Sequence, residues 1–273
     1  MNYVGCSGWS YREWEKVFYP PGMLDKLSFY SGTFNSVEVN STFYNTPSID
    51  TVSSWIRKVR DKPDFKFTVK LPKELSHDLI LHNEKGAVSY FKSYEKLLLE
   101  EFARKERLGA VLLQLPPFLG AEKFESLCRI LSNLDTDRYR YAIEIRNREL
   151  FNDSSIPGRL YDMNIGLVDI DSPDLRIGSL VSRTDFAYIR MHGRNVEAWN
   201  RVNDYAMEKY RYDYGEEIAQ ITEHIRNIQD NYKDLYIYFN NHPDGNAPRN
   251  AISLMENLKG GKSPESSGIF SFK

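Results

Sequence analysis

The chain has 273 residues, of which 41% are hydrophobic, 27% charged and 14% aromatic, and its formal net charge at pH 7 is −2. This composition is typical of a globular protein and excludes a mainly disordered or fibrous chain. It provides no overall basic field, so nucleic-acid binding would need a local basic patch. The two cysteines, Cys6 and Cys128, are too few for a disulfide framework and lack the spacing of metal ligands.

The sequence has no recognisable targeting or membrane-spanning pattern. No apolar run approaches the roughly 20 residues that a membrane-spanning helix needs. The first residues, MNYVGCSGW, lack the basic and apolar regions of a signal peptide. These features predict a reduced, cytoplasmic protein that does not associate with membranes.

Eight short segments rich in β-branched and aromatic residues predict β-strands. They cover residues 3–9, 36–43, 65–71, 109–116, 141–146, 165–171, 186–193 and 235–241. Helical periodicity in the segments between these strands and after the last of them predicts helices over residues 48–60, 84–107, 121–134, 214–230 and 247–258. Strands that alternate with helices over about 250 residues are typical of a (β/α)8 TIM-type barrel with eight parallel strands.

The predicted barrel forms a single domain over residues 1–258. Residues 259–273 are rich in Gly, Ser and Lys and predict a flexible C-terminal tail. An open, doubly wound α/β sheet is the alternative architecture, but the chain lacks the glycine-rich phosphate-binding motif of that fold.

Alternation within the predicted strands locates a candidate site. Successive strand residues point to opposite faces, so Val37 and Val39 share one face while Glu38 and Asn40 share the other. Because the apolar faces of barrel strands pack on the helices, we expect the polar faces to line the C-terminal mouth, where active sites of this fold lie. The residues so placed are Glu38, Asn40, Lys70, Gln114, Glu144, Arg146, Asp169, Asp171, Arg190, His192 and Asn240.

Two interpretations account for this polar set. A buried network of ion pairs would explain why the acids and bases are nearly balanced. Buried charges are costly, however, and apolar residues often replace such networks without loss of stability. Their convergence on one mouth therefore favours a functional site.

The acidic members of the set, together with His192, suit a divalent metal ion. Glu38, Glu144, Asp171 and His192 are the predicted ligands of Mg²⁺, Mn²⁺ or Zn²⁺, and the same four residues are the predicted catalytic groups. Such an ion would support metal-assisted phosphoester hydrolysis. Without a metal, Glu38 or Glu144 would act as general base and the other as acid.

The remaining polar residues suit an anionic substrate, because arginines form bidentate contacts with phosphate and carboxylate groups. The predicted substrate-binding residues are Asn40, Lys70, Gln114, Arg146, Arg190 and Asn240, together with Trp9 and Tyr44 at the rim. We therefore expect a hydrolase that acts on a small anionic or phosphorylated, sugar-like or nucleic-acid-derived ligand. The alternatives are a sugar isomerase or lyase and a non-catalytic module that binds nucleic acid or a metabolite.

Aromatic residues flank the predicted mouth in two segments. Trp9 follows the first predicted strand and either packs beneath a long loop or forms a platform on which a sugar or base stacks. The segment 183–211 mixes basic residues with Trp199 and Tyr210, which indicates a solvated loop or lid, or alternatively a nucleic-acid contact.

The sequence resembles the YecE-like family, also called domain of unknown function 72, from about residue 3 to about residue 258. The matching residues are Gly5-Cys6-Ser7-Gly8-Trp9-x-Tyr11-x-x-Trp14, Phe18-Tyr19-Pro20, Phe34-x-x-Val37-Glu38-x-Asn40-x-Thr42-Phe43-Tyr44, Phe65-x-Phe67-x-Val69-Lys70, Gln114-Leu115-Pro116-Pro117, Glu144-x-Arg146, Arg190-x-His192-Gly193, Phe239-Asn240-Asn241, Ala247 and Asn250-Ala251. The resemblance implies a TIM-barrel-like fold and brings no established activity.

Overall fold

Eight parallel strands form the inner layer of the fold in the computed structural model, which describes residues 1–178, 183–200 and 207–260. The strands are β1 Asn2–Cys6, β2 Ser36–Val39, β3 Lys66–Lys70, β4 Leu108–Gln114, β5 Tyr141–Glu144, β6 Gly166–Asp171, β7 Phe186–Met191 and β8 Asp234–Phe239. Their order is β1-β8-β7-β6-β5-β4-β3-β2, so strands that follow each other in the sequence are also neighbours in space. The predicted TIM-type barrel is confirmed, whereas most of the predicted tail, residues 261–273, lies outside the described residues.

Helices form the outer layer. The α-helices are α1 Lys26–Thr33, α2 Ile49–Lys58, α3 Ile80–His82, α4 Glu84–Tyr94, α5 Glu100–Arg104, α6 Phe124–Leu131, α7 Arg148–Asn152, α8 Ile156–Asp162, α9 Val196–Asn200, α10 Ile218–Ile228 and α11 Asn246–Leu258. A π-helical segment, Glu95–Leu99, joins α4 to α5, so the helix predicted over residues 84–107 is one continuous helical stretch. In the described part of the chain, no helix is long and apolar enough to cross a membrane.

Several strands end before their predicted C-terminal residues. β2 stops at Val39, β5 at Glu144 and β7 at Met191. The polar residues that follow, among them Asn40, Arg146 and His192, therefore lie in the loops at the C-terminal mouth.

Two apolar cores lie on the two faces of the sheet. The larger core fills the layer between strands and helices, and Val37, Val39 and Cys6 belong to it. The smaller core fills the inside of the barrel and consists of Tyr3, Ala110, Leu112, Ala142, Val168, Ile170, Phe186, Tyr188, Tyr236 and Tyr238. This inner core occupies the axis below the mouth, so the barrel is a packed interior that leaves only its C-terminal end for a site.

Side chains help to close the barrel between β1 and β2. The Asn35 side chain accepts a hydrogen bond from Val4 N at 2.9 Å and donates one to Asn2 O at 2.8 Å. The Tyr30 hydroxyl accepts from Cys6 N at 2.7 Å and donates to Ser36 O at 3.0 Å. These contacts take the place of ladder hydrogen bonds and satisfy backbone groups of both strands.

Gly5 sits where this closure is tightest. A Cβ at Gly5 would lie 2.0 Å from Ser36 O and 2.7 Å from the Tyr30 hydroxyl oxygen. We therefore expect Gly5→Ala to lower the free energy of unfolding by about 1–3 kcal/mol, because the strands must separate to admit the methyl group. Gly32→Ala is the control: nothing lies within 4 Å of the added Cβ in α1, and a gain of about 0.5–1 kcal/mol is expected. Urea unfolding of both variants measures the difference, and equal values would contradict the tight approach.

Candidate active site at the barrel mouth

Arg190 is the centre of the charged site at the mouth. It lies on the inner face of β7 and only 1% of its side chain is exposed. Its guanidinium donates to Glu38 of β2 at 2.8 Å, to Gln114 of β4 at 3.2 Å, and to Glu144 of β5. One guanidinium therefore links three strands across the axis of the barrel.

Both carboxylates of this network are held in the ionised form. Glu38 also accepts hydrogen bonds at 2.6 Å from the hydroxyls of Ser7 and Tyr188. Although burial opposes ionisation of Glu38, the Arg190 charge and these two donors outweigh it, so its pKa is lowered. Burial likewise opposes ionisation of Glu144, but Arg146 and Arg190 outweigh it and hold its pKa well below the usual value. Neither residue is a proton donor near neutral pH.

His192 follows β7 directly and is buried beside Glu144. The Asn240 amide nitrogen lies 3.0 Å from His192 Nδ1, and because an amide nitrogen can only donate, Nδ1 accepts and the proton is on Nε2. His192 Nε2 is 3.5 Å from a Glu144 oxygen, which is too long for an ordinary hydrogen bond. Burial lowers the pKa of His192 to about 4, so the ring is neutral at pH 7 and can donate through Nε2.

Lys70 ends β3 on the inner face and differs from the other charged residues of the site. Only 8% of it is exposed, and its ammonium lies over the Phe43 ring at 4.1 Å from the ring centre. Within the described residues, Lys70 has no ion pair and no side-chain hydrogen bond. Burial, with Arg190 and Arg146 nearby, lowers its pKa to about 7.

The prediction that Asp169 and Asp171 line the mouth is wrong. In a parallel ladder, paired residues face the same side, and Asp171 is paired with Met191 of the outer core. Val168 and Ile170 face the barrel interior instead. The alternation rule fails on β6 because the apolar residues of this strand pack inside the barrel and its aspartates lie on the outer face.

Asp171 anchors a loop instead of reaching the mouth. It accepts two hydrogen bonds from the Arg194 guanidinium and one from the Tyr214 hydroxyl, each at 2.7 Å. This bidentate pair fixes the chain just after His192, so Asp171 acts on the site only through its neighbours.

The predicted metal ligands do not form a ligand set. Asp171 is on the other face of the sheet from Glu38, Glu144 and His192, and the Arg190 guanidinium lies between the two glutamates. Over residues 1–178, 183–200 and 207–260, no group of three or more His, Cys, Asp or Glu side chains could hold a metal ion. Because Asp169 and Asp171 lie on the outer face of the sheet, the net charge of the mouth differs from the predicted one. Three cations, Lys70, Arg146 and Arg190, face two carboxylates, Glu38 and Glu144.

A cavity of about 600 Å³ opens at the mouth beside this network. Glu144, Arg146 and His192 form its polar floor, and Arg146 is 24% exposed toward it. β6, α7 and the segments at the mouth contribute further lining residues, namely Pro117, Ile145, Arg148, Phe151, Asn152, Ile170, Ser172, Asp174, Leu175 and Lys209. Trp199 also lines the cavity, and its ring centre is 6.3 Å from that of His192.

Three buried polar atoms in this region have no hydrogen-bond partner among the described residues: Asn40 Oδ1, Arg190 Nε and His192 Nε2. Buried polar atoms are usually satisfied, and exceptions of this kind are concentrated at functional sites. These atoms comprise one acceptor and two donors, a combination that suits a ligand with hydroxyl and carbonyl groups.

The two rim aromatics of the sequence analysis have different surroundings. The Trp9 ring packs edge-on against Trp55 of α2, with ring centres 5.3 Å apart. This contact favours the interpretation of Trp9 as a packing residue. Tyr44 is 77% exposed and meets only the edge of Phe43 among the described aromatic rings, so it remains a predicted stacking residue.

A comparison with protein-family models assigns residues 3–268 to the family described as "Protein of unknown function DUF72". The chain belongs to the DUF72 family. This finding confirms the resemblance drawn from the sequence motifs and covers nearly the whole barrel.

Known members of the DUF72 family share the fold of this chain. A DUF72 family protein of Thermotoga maritima has a crystal structure that matches with a TM-score of 0.79 and 30% identity over 95% of this chain and 99% of that one. A second, from Enterococcus faecalis, has a TM-score of 0.77 at 21% identity and covers 95% and 96% of the two chains. "UPF0759 protein YunF" of Bacillus subtilis is 25% identical over 94% of this chain and 95% of its own length.

Proposed function

We propose that this DUF72 protein is an enzyme that binds a small anionic, sugar-like substrate at the barrel mouth and transfers protons on it. The observation that carries the proposal is the unpartnered donor His192 Nε2, which lines one cavity together with Glu144 and Arg146. A substrate with a carbonyl oxygen and an anionic group would pair with His192 and Arg146.

Each of three residues has a distinct role in this proposal. Arg146 binds the anionic group, because it is the cation of the network that reaches the cavity. His192 donates its Nε2 proton to the substrate oxygen. Glu144 accepts a substrate proton, and an anion that pairs with Arg146 would weaken one of the two cations that lower the pKa of Glu144 and so make it a stronger base.

This proposal favours the isomerase or lyase interpretation over metal-assisted phosphoester hydrolysis. Hydrolysis of that kind needs a ligand set that would position a metal and its water, and Glu38, Glu144, Asp171 and His192 do not come together for it. Proton transfer at a carbon next to a carbonyl needs a base, a group that donates a proton to the carbonyl oxygen and a group that binds the anion. Glu144, His192 and Arg146 are the residues proposed for these three roles.

Nucleic-acid binding by the segment 183–211 has less support. Arg194 pairs with Asp171 and Glu217, and Arg211 pairs with Glu208 and Asp244. Arg201 lies outside the described residues. Because arginines paired in this way are neutralised by their acidic partners, the described part of the segment presents no continuous basic stripe to a phosphate backbone.

The proposed function is tested by solvent exchange in a panel of aldose and ketose phosphates. The wild-type protein is expected to exchange the substrate proton next to the carbonyl for deuterium in D₂O, as measured by proton NMR. Glu144→Gln should slow this exchange by at least about 100-fold and leave affinity within about tenfold, because the amide cannot accept the proton. Arg146→Met should weaken binding by about tenfold or more, because it removes charge-assisted hydrogen bonds.

Arg129→Met is the matched control, since this exposed arginine pairs with Glu84 on the helices, away from the mouth. It should behave like the wild type. Exchange at the wild-type rate in Glu144→Gln would remove Glu144 from the mechanism. Failure of the wild type to bind any member of the panel would overturn the proposed function.

A further inference from the structure

Among the described charged residues that the sequence assigned to the mouth and that the structure places on the inner face, Lys70 is not engaged by the network around Arg190. Glu38 and Glu144 both pair with Arg190, and Lys70 has no ion pair among the described residues. Its Nζ atom lies instead over the face of Phe43. A buried lysine whose amine is not bound to a carboxylate shifts its pKa readily and is the kind of lysine that forms Schiff bases.

The loop after β2 fixes this geometry. Thr42 Oγ1 lies 2.6 Å from Val39 O and 2.6 Å from Lys70 O, which joins the ends of β2 and β3. Phe43 follows Thr42 in the 3-10 helix Ser41–Phe43 and is thereby placed beneath the Lys70 side chain. The amine is therefore held in one position at the mouth by packing and not by charge.

The surroundings of Lys70 also keep a large part of it unprotonated. Burial is the main cause, and the nearby guanidinium groups of Arg190 and Arg146 add to it, so that its pKa is about 7. About half of the Lys70 side chains are then neutral amines at pH 7, against fewer than about one in a thousand for a surface lysine. A desolvated amine beside other cations is the arrangement that makes a lysine nucleophilic.

We infer that Lys70 forms an imine with the carbonyl group of an anionic substrate bound at the mouth. The inference rests on the proposed function, because it assumes that Arg146 holds the anionic group. It deepens that function by naming the substrate class, an aldehyde or ketone that carries a carboxylate or phosphate, and by naming the nucleophile.

The chemistry balances without a further reactant. The Lys70 nitrogen attacks the carbonyl carbon, the C=O electron pair moves to oxygen, and this oxygen takes the His192 Nε2 proton or one from solvent. The nitrogen of the resulting carbinolamine returns one proton to His192, and its second proton leaves with the hydroxyl as water, which leaves the C=N bond. The imine then accepts the electron pair when a proton is removed from the adjacent carbon, the step that an isomerase or lyase needs.

Reductive trapping tests this inference with glyoxylate as the probe. Glyoxylate is an aldehyde with a carboxylate, and cyanoborohydride supplies hydride to its imine and fixes a carboxymethyl group on the amine. At pH 7, peptide mass spectrometry should show Lys70 labelled at least about tenfold faster than Lys85, a surface lysine of α4. Arg146→Met should slow labelling of Lys70 at least tenfold. The uncharged probe glycolaldehyde should label it more slowly than glyoxylate does.

Lys70→Arg keeps the cation but cannot form the imine, so it should lose the fast adduct and still bind glyoxylate, as measured by the rise in melting temperature. If neither wild type nor Lys70→Arg gives a fast adduct but both are stabilised by glyoxylate, the imine is overturned and the anion site of the proposed function stands. If glyoxylate neither labels nor stabilises the wild type, both proposals fail. Fast labelling that Arg146→Met or glycolaldehyde leaves unchanged would show a reactive amine without a directing anion site and would also overturn the inference.

Discussion

Replacing Arg190 with methionine is expected to lower the free energy of unfolding by about 3–5 kcal/mol. The Arg190 side chain is 1% exposed, and both carboxylates that it links are fully buried. Methionine fills much of the same volume but leaves Glu38 and Glu144 without their shared cation. Loss of one partner from a buried ion pair costs this much because the remaining charge is not compensated.

Urea unfolding at pH 7, followed by circular dichroism, measures this effect. The double variant Glu38→Gln/Arg190→Met should recover part of the loss, because Arg190 is the ion-pair partner of Glu38 among the described residues, whereas Glu144 keeps Arg146. Arg129→Met removes an exposed ion pair and should leave the stability close to that of the wild type. A loss below about 1 kcal/mol in Arg190→Met would mean that the two glutamates do not depend on this guanidinium.

The pH dependence of the wild type follows from the same network. The pKa values of Glu38 and Glu144 are lowered in the fold, so the unfolded chain binds more protons than the folded chain as the pH falls below the ordinary glutamate pKa. The stability that the network contributes is therefore fully present above that value and is lost in acid. The contribution of Lys70 to stability changes in a different pH range, between its folded pKa of about 7 and the ordinary lysine pKa of 10.5.

Alternation along single strands was enough to find most of the inner wall. At the C-terminal ends of β2, β5 and β7 the apolar residues face the helices and the polar residues face inward, so Glu38, Glu144 and Arg190 could each be assigned to the mouth without knowledge of the neighbouring strands. On β6 the alternation is equally regular, but Val168 and Ile170 pack in the inner core and the two aspartates lie on the outer face, so the assumption that apolar residues face the helices fails there. Only the pairing of Ile170 with Arg190 decides which face points inward.

The composition of the cavity could not be predicted in the same way. Arg148, Trp199 and Lys209 come from short helical segments that follow β5 and β7, where no strand period constrains the direction of a side chain. That one arginine pairs with both glutamates is likewise a property of three strands together. As free carboxylates, Glu38 and Glu144 would suit a metal, whereas the assembled mouth pairs both with arginines.

Lys70→Met is expected to stabilise the protein by about 2–4 kcal/mol below pH 7 and by progressively less as the pH rises. The ordinary lysine pKa of 10.5 falls to about 7 in the fold, mainly through burial and also through the charges of Arg190 and Arg146. Glu38 and Glu144 act in the opposite direction, but Arg190 already pairs with both, and His77 is a further titratable neighbour. Below pH 7 both folded and unfolded chains carry the proton, so the folded chain bears the full cost of a buried charge.

The sign of the pH dependence follows from proton counting. Between pH 7 and 10.5 the unfolded chain binds the Lys70 proton and the folded chain does not, so wild-type stability rises with pH relative to the methionine variant. Methionine also retains apolar contact with Phe43, which limits the loss of the cation–π contact. Urea unfolding of both proteins at pH 6 and pH 9 should therefore show a larger difference at pH 6. Lys85→Met, on the exposed surface of α4, should show none at either pH. An equal difference at the two pH values would mean that Lys70 keeps an ordinary lysine pKa, and the amine would then be an anion-binding cation and not a nucleophile.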